Sequence, residues 1–278
     1  MKQGMTIYGA VLAAALAAVL VAGCGSSMPR PDSSELANVE VAVSRQTSGS
    51  SEQQRAKVHT DLGRLYLLDG RYEVALEEAK IALEADGGYA PAHSLRGLVY
   101  MAINKSELAE DSFRRALGLA RNDPEINNDY GLFLCQSGRA KASLDHFKVA
   151  INNPLFQMPV RALTNAGACL LSIREDRQAE DRQAEEYFLR ALRLDSRHTA
   201  ALFWLADIAY RASRFADAQK RLKDLHNVME PVAQSAWLAL RLARRMGDRD
   251  EEARMMGIMR RKYRDSPEYQ KLSRGEFD

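Results

Sequence analysis

The sequence predicts an all-α solenoid of about six helix–turn–helix units, and three observations carry that prediction. Gly63, Gly97 and Gly131 recur at intervals of 34 residues. Around them the same side-chain sizes return: LGRLY (62–66), RGLVY (96–100) and YGLFL (130–134). Each glycine is followed twelve positions on by a small residue (Ala75, Ala109, Ser143). Four further come Ala79, Phe113 and Phe147, and three beyond those Ala82, Ala116 and Ala150. Steps of four and three mark one face of a helix. The composition agrees: Ala, Leu, Arg and Glu abound, β-branched runs are few, and the 278 residues include eight prolines. A fixed period of this length belongs to stacked units, each leaving an apolar face that its neighbour covers.

The elements follow in order. Residues 1–23 carry Lys2 and then an uncharged apolar stretch from Met5 to Ala22, the form of an export signal. The run VAGC (Val21–Cys24) resembles a bacterial lipobox, which implies diacylation of Cys24 and removal of the preceding peptide. An uncleaved anchor with an incidental cysteine is the alternative. The small residues before Cys24 and the Gly25-Ser26-Ser27 that follow favour lipidation. Gly25 stands where an inner-membrane retention aspartate would, so the resemblance implies lipid anchoring in the outer membrane, facing the periplasm. Residues 24–51, rich in Ser, Pro and Gly, read as a lipidated flexible tether. A flexible chain of that length spans roughly 30 Å.

The solenoid is expected over residues 52–267, with repeats at 56–89, 90–123, 124–159, 160–198, 199–232 and 234–267, followed by a tail at 268–278. Gly167 heads the fourth repeat two residues late, after the loop NNPLFQMP (152–159). Ala206, Ala218, Leu222 and Leu225 mark the fifth. The sixth is degenerate, with Arg241 at the glycine position and Ala253 twelve later. Within the fourth, EDRQA at 175–179 is followed at once by EDRQA at 180–184. The copy lies upstream of Ala184, Phe188 and Ala191, which keep the four-then-three spacing. We read it as a slipped copy that lengthens one helix at the rim, with a charged docking spur as the alternative.

This pattern resembles the tetratricopeptide repeat, which implies a right-handed superhelix whose first helices line a concave groove. The groove positions of that family fall here on Arg64, Leu67, Leu68, Leu98, Met101, Leu132, Cys135, Gln136, Ala168 and Leu171. The expected groove is apolar and suited to an apolar or amphipathic segment. The Lys/Asn/Arg pattern that clamps a terminal carboxylate in some members is not matched. Cys135 and Cys169 lie on adjacent first helices. They read either as a disulfide formed in an oxidising compartment or as two buried thiols.

Catalytic motifs are lacking: there is no phosphate loop, HExxH, CxxC or GxSxG, and the five histidines are scattered. No enzyme activity, cofactor, metal or small-molecule substrate is expected. A net charge of +2 gives no reason to expect nucleic acid.

Three stretches carry a narrower resemblance: INNDYGLFLCQSGR (126–139), NNPLFQMPVRALTNAGACLL (152–171), and LALRLARRMGDRDEEA followed by YRDSPEY (263–269). With the lipobox and tether they resemble the PilF/PilW family of type IV pilus lipoproteins. That resemblance implies a lipid-anchored chaperone (a pilotin) that brings the secretin subunit to the outer membrane and promotes its multimerisation. The competing expectation is an adaptor for cell-wall hydrolases or for general outer-membrane protein assembly.

Overall fold

The computed structural model describes residues 50–173 and 175–277. The expected signal peptide (1–23), the lipidation site Cys24 and the tether up to residue 49 lie outside the described residues.

Among the described residues there are thirteen α-helices and no strand. They pair as α1 (Ser51–Leu68) with α2 (Tyr72–Ala85), α3 (Ala90–Ala102) with α4 (Ser106–Leu119), and α5 (Pro124–Gln136) with α6 (Ala140–Asn152). The series continues through α7 (Pro159–Leu170) with α8 (Arg177–Leu194), α9 (Thr199–Arg211) with α10 (Phe215–Val228), and α11 (Ala233–Met246) with α12 (Arg249–Lys262). The odd-numbered helices touch one another in sequence, and each even-numbered helix from α2 to α10 packs between its own partner and the next odd one. This is the expected superhelical solenoid, with an inner row of helices and an outer row.

Size complementarity sets the pairing. A Cβ added to Gly97, Gly131 or Gly167 would lie 2.9, 2.8 or 2.7 Å from the ring of Phe113, Phe147 or Phe188. Each of these three inner helices therefore presses its bare backbone against an aromatic ring of its own outer helix. The four-then-three residues of repeats one to three, and Ala184, Phe188 and Ala191 of repeat four, are all fully buried. Burying one such ring stabilises the pair by about 2–3 kcal/mol relative to leaving it exposed. Five inner-to-outer turns share a left-handed residue: Gly70 (φ 72°), Asn104 (φ 58°), Gly138 (φ 77°), Ser213 (φ 58°) and Gly247 (φ 74°). The next amide then reaches back to the end of the inner helix, as from Arg71 N to Tyr66 O at 2.9 Å and from Arg214 N to Ala209 O at 2.8 Å.

Outer helices are also stapled to each other. Arg139, capping α6, makes a bidentate pair with Glu110 on α4 at 2.8 and 3.0 Å. Arg214 repeats the arrangement with Glu185 on α8, both bonds at 2.8 Å. The Arg139 guanidinium holds the Glu110 carboxyl below its ordinary range.

The duplicated pentapeptide falls where the sequence places it. Helix α8 has 18 residues against 14 in α2 and α4, and the extra turn lies at its N-terminal end. Asp176 caps it by accepting from Ala179 N at 3.0 Å. The loop after α6 turns Phe156 inward against Ala150 and Ala162, filling the space opened by the two-residue delay.

Three expectations need correction. Helix α1 starts at Ser51, inside the expected tether, because the Ser50 hydroxyl accepts from Gln53 N. Ala253 is exposed, and Met255 and Met259 are buried in its stead. Arg241 cannot receive a close-packed ring, so α12 turns a different stripe inward. The expected tail contains a helix, α13 (Pro267–Arg274), with Ser266 as N-cap, Pro267 in its first turn and Gly275 (φ 71°) closing it.

Candidate partner-binding face

The inner face is built from odd-numbered helices, so the side chains between their packing stripes decide what it offers. Leu68, at the end of α1, is 84% exposed. Leu67 and Met101 are half-buried and lean on the cluster of Leu98, Phe113, Tyr130 and Phe133. Leu132 is half-buried, and Leu171 packs beside Leu163 and Leu170. Leu98 is only 9% exposed and belongs to the core. The two large rings of repeat three draw it inward, so its expected groove placement is corrected.

The centre of the face is polar, contrary to the expected apolar groove. Arg64 on α1 reaches across α3 to Glu125 Oε1 at 3.0 Å and Asp129 Oδ2 at 3.6 Å, both on α5. Arg161 on α7 approaches the same two carboxylates from the other side, at 3.5 and 3.4 Å. Asp129 is 2% exposed. It also accepts from the Ser94 hydroxyl at 3.1 Å and the Asn128 amide at 3.2 Å, while Asn165 donates to Asn128 Oδ1 at 3.0 Å. Two cations and two carboxylates thus form a closed, neutral ladder across four repeats. A buried carboxylate is tolerable only with such partners. Arg64 Nη2 and Arg161 Nε are buried with no protein acceptor. Of the ladder only Arg64 stands at a repeat position that the sequence assigns to the groove. The legible signal was that Glu125 and Arg161 stand at the same repeat position with opposite charge.

Cys135 on α5 and Cys169 on α7 are joined by a disulfide, with Cα atoms 5.8 Å apart. The two-residue delay of repeat four turns Cys169 onto the face that stacks against repeat three, where it meets Ser143 and Ala140 of α6. Among the described residues no group of three or more His, Cys, Asp or Glu stands close enough to hold a metal. The half-buried His146 and His226 and the buried His93 are each held below the ordinary histidine range by burial.

The arrangement offers apolar side chains beside a hydrogen-bonding centre, which suits recognition of a protein segment. The family model "Tetratricopeptide repeat" matches residues 60–125, 94–155 and 176–223, together more than half of the chain. The chain is 29% identical over 224 residues to the type IV pilus assembly protein PilF of Pseudomonas aeruginosa, covering 81% of this chain and 86% of that one. A solved structure of P. aeruginosa PilF superposes with a TM-score of 0.72 at 26% identity, over 81% of this chain and all of that one. PilW, described as a widely conserved type IV pilus biogenesis factor, superposes with a TM-score of 0.69 at 26% identity, over 78% and 98% of the two chains.

Proposed function

Since the chain belongs to the tetratricopeptide repeat family, and within it is a type IV pilus biogenesis protein of the PilF/PilW family, we propose that it is a scaffold for the pilus secretin. In this reading Cys24 carries the lipid that anchors the protein in the outer membrane, and the solenoid hangs in the periplasm. Its inner face binds the secretin subunit and promotes localisation and multimerisation of the pore. The observation that supports this most is the inner face itself. Exposed Leu68 and half-buried Leu67, Met101 and Leu132 lie on the same inner helices as the Arg64–Glu125–Asp129–Arg161 ladder. An amphipathic segment would cover the exposed apolar side chains and leave the ladder intact beneath it.

The test is a pair of substitutions, Leu68→Ser and Met101→Ser, in the full-length gene. Leu68 is already exposed, so its substitution leaves thermal unfolding unchanged while secretin multimers in the envelope fall. Normal multimers in both folded variants would place the binding surface elsewhere. Cys24→Ser tests the anchor separately: intact mass of the wild-type protein should reveal a diacylated mature N-terminus that the variant lacks, and an unmodified wild-type N-terminus would overturn the anchor.

A further inference from the structure

The last repeat inverts the rule that builds the others. Its glycine position holds Arg241, and the outer-helix position that carries Phe113, Phe147 and Phe188 elsewhere holds Gly257. Bulk has moved from the outer helix to the inner one. The Arg241 guanidinium lies 4.6 Å from the centroid of the Tyr210 ring and 6.0 Å from that of Trp237. The result is a socket of rings and guanidinium groups on the edge of α11, where a seventh repeat would stack.

The chain's own residues fill it. The Phe277 ring stacks on Trp237 with centroids 5.6 Å apart, and the Arg244 guanidinium sits 3.9 Å above its centroid. Arg241 Nε donates to the Phe277 carbonyl at 2.9 Å. Two turns upstream, Tyr269 and Leu272 of α13 rest against the same cluster. Yet α13 has no fully buried residue, and its termini are closed within itself: Ser266 Oγ accepts from Tyr269 N, Gly275 N donates to Leu272 O and Glu276 N to Lys271 O. A helix that satisfies its own ends and docks through three half-buried side chains belongs to the least stable part of a fold. The surface beneath it, made of Trp and Arg side chains, has the composition on which binding energy concentrates.

We propose that Trp237, Arg241 and Arg244 form a second binding site, for a short helical segment ending in an aromatic residue. Residues 267–277 occupy it in cis, and a partner segment of the same chemistry displaces them. That segment carries an aromatic and an aliphatic side chain three apart on two helical turns, then an aromatic residue a few positions past the helix end. The site shares no residue with the inner-face ladder, so it stands whichever partner that face takes.

The tethered tail competes at an effective concentration in the millimolar range. A separate segment therefore binds the intact chain weakly and binds tightly once the tail is loosened. The experiment uses the full chain, wild type and Phe277→Ala, with a fluorescein-labelled synthetic peptide of residues 263–277. Anisotropy should show the peptide binding the Phe277→Ala protein at least tenfold more tightly than wild type. A peptide carrying Phe277→Ala should not bind. Equal affinity for both proteins, or no binding to a variant that melts as cooperatively as wild type, overturns the proposal. Amide exchange of the wild-type chain gives an independent reading: residues 267–275 should exchange at least a hundredfold faster than α11. Equal protection makes α13 a fixed cap and overturns the proposal as well. A concentration-dependent wild-type dimer would show tails exchanged between copies and overturn the reading of a separate partner.

Discussion

Removing the bond between Cys135 and Cys169 tests how the middle of the solenoid is held. The cysteines are separated by 34 residues. In the chain-entropy description, closing a loop of that length takes roughly 13 cal/mol/K from the unfolded ensemble, about 4 kcal/mol at 25 °C. For a body of this size each kcal/mol moves the melting temperature by about 2–4 °C, so reduction should lower it by roughly 8–15 °C. The effect should be local at first, because neighbouring repeats in a solenoid stabilise each other pairwise. Repeats three and four should separate at lower temperature than the rest. The assay is thermal unfolding by circular dichroism with and without a phosphine reductant, on wild type and on the Cys135→Ala/Cys169→Ala double variant. The variant should melt near reduced wild type and ignore the reductant. Each lost sulfur leaves a small void that adds about 1 kcal/mol at buried Cys169. A reductant shift below about 2 °C would refute the reasoning, since a bond that constrains nothing in the unfolded chain contributes nothing.

Three further outcomes are expected. Ser213→Gly should raise stability by about 1 kcal/mol in chemical denaturation, because Ser213 holds a left-handed φ of 58° that glycine adopts without a Cβ clash. Deleting residues 180–184 should shift the melting temperature by no more than about 2 °C and leave secretin multimers intact, since the surviving EDRQA takes over the place of the removed one; a larger loss would mean that the extra turn carries binding. Stability should fall in two stages on acidification. His93, His146 and His226 are held below the ordinary value of 6.5, so the unfolded chain takes up their protons first and stability drops below about pH 6.5. Glu110 is held below 4.5 by Arg139, so its contribution is present at neutral pH and lost as pH falls through the acidic range. Glu110→Gln should flatten the second stage and spare the first, as read from urea midpoints at pH 7, 5.5 and 4.

Much of this was legible because the information is periodic and local. Gly97 and Phe113 declare their contact by a spacing that recurs, and the four-then-three pattern located Ala184 despite five extra residues before it. The polar ladder was not legible in the same way. Arg64 meets Glu125 and Asp129 only because α3 places the small Ser94 beneath them, and no single-repeat pattern records a contact that skips a repeat. Leu98 misled for a related reason. Its repeat position faces the groove in general, but Tyr130 and Phe133 are large enough here to draw it into the core. In the sixth repeat the failure of the pattern was itself the signal. With Arg241 and Gly257 exchanged in size, Ala253 loses its packing role and the helix rotates Met255 and Met259 inward. Helix α13 has every start and stop residue a helix needs, but in eight residues its apolar face is a single pair, Tyr269 and Leu272, too short a period to announce itself.

The added turn of α8 has a practical consequence. Arg177, Gln178, Arg182 and Gln183 are all exposed there. A solenoid measures length along the stacking direction, whereas this turn grows across it and leaves the buried packing positions Ala184, Phe188 and Ala191 in place. That makes the start of α8 a natural graft point: a fluorophore, an affinity epitope or a crosslinker installed at Gln178 would report on partner binding without touching the inner face or the socket on α11.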